Sequence, residues 1–176
     1  MENNWDVVKV LRYARHDWLN KIQLIKGNLS LNRLERAQDI IDEIVMEAQQ
    51  EARLSNLNLP QFAGLLLITN WKQNYFQLEY EVLGDNLSVK MDDKQLTDWT
   101  RSFFTILNNC IEAFQENHLS LSILPNENRA QFFFDFSGTI LKQEELVVFL
   151  KESHEGVILK EISNTEFSFE MEWFNT

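Results

Sequence analysis

His16 is followed directly by Asp17, with Asn20 one helical turn on, Arg12 one turn back and Arg15 adjoining. A neutral imidazole is a nucleophile near physiological pH and can carry a covalent intermediate. A neighbouring carboxylate biases its tautomer, and a nearby guanidinium holds a phosphoryl oxygen. These residue types at this spacing suit the transfer of a phosphoryl group onto and off the ring. Other chemistry is short of parts. The five glycines are Gly27, Gly64, Gly84, Gly138 and Gly156. No two are close enough for G-x-G and none precedes a lysine, so the dinucleotide fingerprint and the phosphate loop are both absent. His118 and His154 lie far from His16, no H-E-x-x-H occurs, and one cysteine makes no zinc cluster. Cys110 sits among apolar residues and reads as a small buried hydrophobe.

The element that must position His16 is an amphipathic helix over residues 5–29. Val7, Leu11, Ala14, Trp18, Ile22, Leu24 or Ile25, and Leu29 recur at steps of three and four. With that seam at 0° and about 100° per residue, Leu11, Trp18, Ile22 and Leu29 fall within about 20° of it, and His16 lies about 140° away. His16 is therefore expected on the solvent face with Lys9, Arg12, Tyr13, Asn20, Gln23 and Gly27. Arg15 and Leu19 flank that face, and with Lys9, Arg12, Tyr13, Gln23 and Gly27 they make up the expected partner-contact surface. An exposed histidine without a cleft suits a reaction whose other catalytic groups arrive on a partner.

A second helix is expected from Asn32, where Asn32-Arg33-Leu34-Glu35 resembles a capping box with Asn in place of Ser or Thr. Its seam is Leu34, Ala37, Ile41, Ile44 or Val45, Ala48 and Ala52, and it fades near Leu57. Two such helices joined by a short turn form a hairpin, which buries little by itself. A continuous seam on each helix suggests dimerisation into a four-helix bundle.

From Pro60 the pattern changes. A short helix over 61–75 is followed by a strand-like alternation, Phe76, Leu78, Tyr80 and Val82, ending at Gly84-Asp85-Asn86. Asp92 or Asp93 caps a long helix to about Glu116. Two strands, 119–124 and 131–136, are joined by Pro125-Asn126-Glu127-Asn128. A helix over 142–152 precedes a last hairpin, 157–162 and 167–173. The chain thus divides into a helical hairpin, 1–59, and an α+β domain, 60–176.

Arg15-His16-Asp17-Trp18-Leu19-Asn20-Lys21-Ile22-Gln23 resembles the phosphorylated-histidine motif of two-component sensor kinases, in the variant with Asn at His+4. The stretch from Arg15 to Leu31, with Leu54-Ser55-Asn56-Leu57 and Leu78-Glu79-Tyr80-Glu81-Val82-Leu83-Gly84, is similar to the sporulation initiation phosphotransferase B family of endospore-forming bacteria. The likeness covers most of the chain and weakens after about residue 85. It implies a dimeric phosphorelay protein. The histidine takes a phosphoryl group from a single-domain response regulator and passes it to the aspartate of a second regulator, the sporulation transcription factor. His16 matches the phospho-acceptor, and Asp17 and Asn20 match the motif's polar positions. Mg²⁺ is expected in the regulator, and no cofactor is expected on this chain.

Sensor kinases carry an ATP-binding domain after the hairpin, and the stretch from Ile106 to Ala113 resembles its Asn-containing helix, with Asn109 at the magnesium-binding position. The expected Asp-x-Gly-x-Gly is reduced to Asp135-Phe136-Ser137-Gly138-Thr139, and no glycine-rich lid follows. Backbone approach to phosphates needs those glycines. The C-terminal domain is expected to be an α/β sandwich-like relic of a kinase ATPase domain that does not bind ATP. The rival readings are an ATP-dependent sensor kinase core and a non-catalytic dimeric adaptor for response regulators.

Charge narrows the partners. The 176 residues carry 16 Lys+Arg and 27 Asp+Glu, net −11, which disfavours nucleic acid and anionic membranes. Residues 1–59 hold net −1, residues 60–176 hold −10, and the first helix, 5–29, holds +3. A basic helix suits a partner whose active site is a cluster of carboxylates. The N-terminus has neither a basic start nor an apolar core, so a cytoplasmic protein without a secretion signal is expected.

Overall fold

A computed structural model describes residues 6–84, 89–126 and 129–174. Trp5 and the turn residues Asp85, Asn86, Glu127 and Asn128 lie outside the described residues. The chain divides into two compact units, Met1–Glu51 and Ala52–Thr176.

The first unit is built on two helices. α1 spans Val7–Ser30, with the Asp6 side chain accepting from Lys9 N–H at 2.7 Å. Its end corrects the reading of Asn32. Asn32 does not cap the second helix. It adopts φ 55° as the residue that closes the first. Arg33 N–H reaches back to the Asn28 carbonyl and Asn32 N–H to the Leu29 carbonyl, the paired bonds of a Schellman motif. Asparagine tolerates this left-handed conformation better than most residues. α2 then spans Leu34–Ser55, its first bond running from Ala37 N–H to the Arg33 carbonyl, with Glu35 in the first turn. Ala37 and Ile40 are buried and Ile44 is half-buried, while Lys21 and Glu47 form an ion pair. Each apolar side chain on the expected α1 seam, Leu11, Trp18, Ile22 and Leu29, stays about half exposed, and α1 has no buried residue. On α2 the same holds for Leu34, Ile41 and Val45. Of the two alternatives for the seam, Ile25 is half-buried and Leu24 is exposed.

The second unit is a five-stranded sheet carrying three helices. α3 spans Pro60–Thr69, β1 Gln77–Val82, α4 Asp93–Cys110, β2 His118–Asn126, β3 Arg129–Ser137, α5 Gln143–Glu152, β4 Val157–Ile162 and β5 Glu166–Phe174. The strand order is β1-β2-β3-β5-β4. The pairs β2–β3, β3–β5 and β5–β4 are antiparallel. β1 pairs β2 in parallel, because α4 carries the chain across between them.

Alternation puts Leu119, Leu121 and Ile123, then Phe132, Phe134 and Phe136, then Phe167, Phe169 and Met171 on one buried face. Phe134 and Phe169 stack at 4.5 Å, and the Phe103 ring of α4 meets both edge-on. The two aspartates that competed for a cap each cap one helix. Asp92 accepts from Gln95 N–H at the start of α4, and the Asp93 carboxylate accepts from Gln61 and Phe62 N–H at the start of α3.

Two helices stop sooner than their sequence pattern suggests. α3 ends at Thr69 because the next polar residues serve the strand edge: Asn70 pairs with both backbone groups of Leu78. α4 ends at Cys110, whose carbonyl accepts from Leu141 and Lys142 N–H, and Ile111 bridges to Ile140. No helix among the described residues is long and apolar enough to cross a membrane.

Candidate functional site

His16 lies in the middle of α1, and its side chain is 71% exposed. Two side chains gather at one ring nitrogen. Asn20 Nδ2 stands 3.2 Å from Nδ1, and Asp17 Oδ1 stands 3.5 Å from the same atom. Either tautomer is served: the Asn20 amide donates to a bare Nδ1, and the Asp17 carboxylate faces a protonated one. Nε2 makes no hydrogen bond among the described residues, so the ring presents that nitrogen to solvent. The i, i+1 and i, i+4 spacings suffice for this arrangement once the segment is helical.

Most residues of the expected face are exposed. Arg12, Tyr13, Arg15, Leu19, Asn20, Gln23 and Gly27 are exposed, and Lys9 and Asp17 are half-buried. Among the described residues neither Arg12 nor Arg15 forms an ion pair. An open depression lies on the N-terminal side of His16, lined by Asp6, Val8, Lys9, Arg12, Tyr13 and His16 itself. A second lies towards the C-terminal end of α1, where Asn20, Gln23, Leu24, Gly27, Asn28 and Leu31 line it. Leu24 was assigned to the seam as an alternative to Ile25, and its place on this face was missed. A leucine 220° round the wheel from Leu11 was the available signal. Gly27 has nothing within 4 Å of where a Cβ would stand, so the surface there is low and open.

The remaining candidates fall elsewhere. Cys110 is fully buried, and burial pushes its thiol above the usual range, with Glu145 adding to the rise, so it is no nucleophile. Asn109 is exposed, while its neighbour Asn108 is bound into the fold, accepting from Tyr75 N–H and donating to Asn74. His118 opens β2. His154 stacks on Trp173 at 4.1 Å, its Nδ1 accepting from Gly156 N–H. At the segment Asp135 to Thr139, the Asn117 side-chain oxygen accepts from Thr139 N–H and packs so close to Gly138 that any Cβ there would collide with it. Among the described residues no group of His, Cys, Asp and Glu gathers as a metal site.

Residues 1–57 match the family described as Sensor_kinase_SpoOB-type, alpha-helical domain, and residues 58–173 match Sporulation initiation phospho-transferase B, C-terminal. Sporulation initiation phosphotransferase B of Bacillus subtilis (strain 168) is 39% identical over 135 residues, 76% of this chain and 70% of that protein. The chain belongs to the sporulation initiation phosphotransferase B family. It is a phosphotransferase of the sporulation phosphorelay. Solved structures with some likeness include the histidine kinase AdeS of Acinetobacter baumannii, 11% identical, TM-score 0.44, covering 90% of this chain and 97% of that one. A histidine kinase from Burkholderia phymatum STM815 is 10% identical, TM-score 0.41, covering 93% and 96%.

Proposed function

We propose that His16 is the residue through which the phosphoryl group passes, received from the aspartyl phosphate of one response-regulator receiver domain and delivered to the aspartate of a second. The observation that carries this is the exposed ring with Asp17 and Asn20 both at Nδ1, leaving Nε2 open. The Nε2 lone pair attacks phosphorus in line with the acyl-phosphate bond; the N–P bond forms, the P–O bond to the aspartate breaks, and the carboxylate leaves with that electron pair. The ring gains positive charge as it does so, and the proton on Nδ1 faces the Asp17 carboxylate, which stabilises it. Arg12, one turn back, offers a guanidinium to the phosphoryl oxygens. The reverse sequence loads the second regulator.

The missing groups are those a receiver domain brings: a carboxylate to carry the phosphoryl group and Mg²⁺ to bridge its oxygens. The acceptor reading of the second regulator is the transcription factor that opens sporulation, and the donor a single-domain regulator. The half-exposed seams of α1 and α2 support a homodimer in which two hairpins bury them as a four-helix bundle, since such a stripe is costly to leave in water. No step here uses ATP. Asn117 fills the ground beside Gly138 where a nucleotide-binding relative needs open backbone, which supports a C-terminal unit that has given up that role.

Mixing the chain with a radiolabelled phospho-receiver tests the reading. Acid-labile, base-stable label on this chain is expected. Label arising from ATP and Mg²⁺ alone would instead make the chain a kinase, and regulator binding without label would make it an adaptor.

A further inference from the structure

A shallow groove of about 640 Å³ runs between α4 and α5 in the second unit, lined chiefly by Ile106, Glu144, Glu145, Val148, Phe149 and Glu152. Its floor is apolar. Ile106 and Phe149 are half-buried against the core, and Val148 is 52% exposed. Its rim is acidic. Glu145 is paired with Lys142 at 3.2 Å, and Glu144 and Glu152 form no ion pair among the described residues. Glu145, Val148 and Glu152 follow one stripe of α5, which sets the two carboxylates about 10 Å apart along the helix. The α4 wall beside Ile106 is neutral: Ser102 and Thr105 turn their hydroxyls onto their own helix, donating to the Asp98 and Arg101 carbonyls. None of the described lining residues is a lysine or arginine.

We propose that this groove docks a basic amphipathic helix of another protein. Apolar side chains spaced i, i+3 or i+4 sit over Val148 and between Ile106 and Phe149, and Lys or Arg a turn to either side reach Glu145 and Glu152. Charge selects this occupant over the others. Three carboxylates repel the phosphates of a nucleotide or nucleic acid. A second copy brings the same acidic surface at residues 60–176, net −10, and its own basic helix, α1, has its apolar seam committed to the proposed bundle. An uncharged apolar helix would strip water from Glu144 and Glu152 and return no partner. The groove contains no residue of α1, and its occupation needs no phosphoryl group.

The test uses the full chain and a synthetic Leu/Lys amphipathic peptide as probe, with a peptide of the same composition scrambled to lose its stripe as control. Saturable methyl NMR shifts at Ile106 and Val148 are expected with the amphipathic peptide and not with the scrambled one. Val148→Asp, and separately Glu145→Lys with Glu152→Lys, should each weaken binding about tenfold, while label transfer to His16 is unchanged. All three positions are exposed, and circular dichroism checks that each variant folds. Equal binding by wild type and both variants, equal binding of the scrambled peptide, or shifts confined to other methyls would overturn the proposal. So would shifts at these methyls that grow with protein concentration in the absence of peptide, which would make a second copy the occupant.

Discussion

At the scale of single residues the account rests on what surrounds one imidazole. Asp17 faces Nδ1 and has no other role in the proposed transfer, so Asp17→Asn should slow label transfer by about 100-fold, the size typical of one positioned acid–base group, while leaving the fold intact. Arg12→Ala should slow transfer too and change stability by less than about 0.5 kcal/mol, because the side chain is exposed; a single-turnover rate equal to wild type would remove Arg12 from the site. His154 predicts a pH effect of a different kind. Burial lowers its affinity for a proton, with adjacent Glu155 opposing, and its Nδ1 must stay bare to accept from Gly156. The unfolded chain therefore binds the proton more readily. Stability is complete above the ordinary imidazole value near 6.5 and declines as pH falls below it. Urea melts of His154→Gln should show a flatter pH dependence than wild type through that range. The arrangement of His16, Asp17 and Asn20 is legible in the sequence because a helix fixes i, i+1 and i+4 neighbours without help from the rest of the fold. Helical spacing alone leaves Leu24 and Ile25 as alternatives on the seam, and only the folded helix shows Leu24 lining the open depression beside Gly27.

Among the elements, what sequence pattern revealed and what it hid separate by range. The strands and the amphipathic helices follow local alternation and are found near the expected positions. The ends of α3 and α4 are set by partners outside the helices, Leu78 on the next strand for Asn70 and Lys142 much further along the chain for Cys110, and helical periodicity records neither. The parallel pairing of β1 with β2 is likewise a consequence of the α4 crossover rather than of either strand's residues. Asn32 shows how two rules compete over one residue: Asn suits an N-cap and a left-handed helix end alike. The structure's answer is testable. Asn32→Gly should hold or raise the melting temperature, and Asn32→Val should lower stability by about 1–2 kcal/mol. A loss on glycine substitution as large as that on valine would contradict the left-handed reading. The exposed seam of α1 carries its own test: Ile22→Glu should convert a dimer to a monomer in analytical ultracentrifugation, and a wild-type chain that sediments as a monomer would refute the bundle.

For the whole molecule the asymmetry of charge is the organising fact. The net −11 resides almost wholly in residues 60–176, while α1 carries a basic face around His16. Attraction between such a face and an acidic receiver acts over a Debye length, about 8–10 Å near physiological salt. Raising the salt should therefore slow bimolecular transfer while leaving the rate within a preformed complex nearly unchanged. The central claim is that the phosphoryl group passes through His16, and one substitution addresses it most directly. His16→Gln is a change on an exposed face that should preserve the circular dichroism spectrum and the oligomeric state. Mixed with a phosphorylated receiver domain, it should take up no acid-labile label and pass none to a second receiver, while wild type does both. A folded His16→Gln variant that still acquires and transfers label would contradict the account.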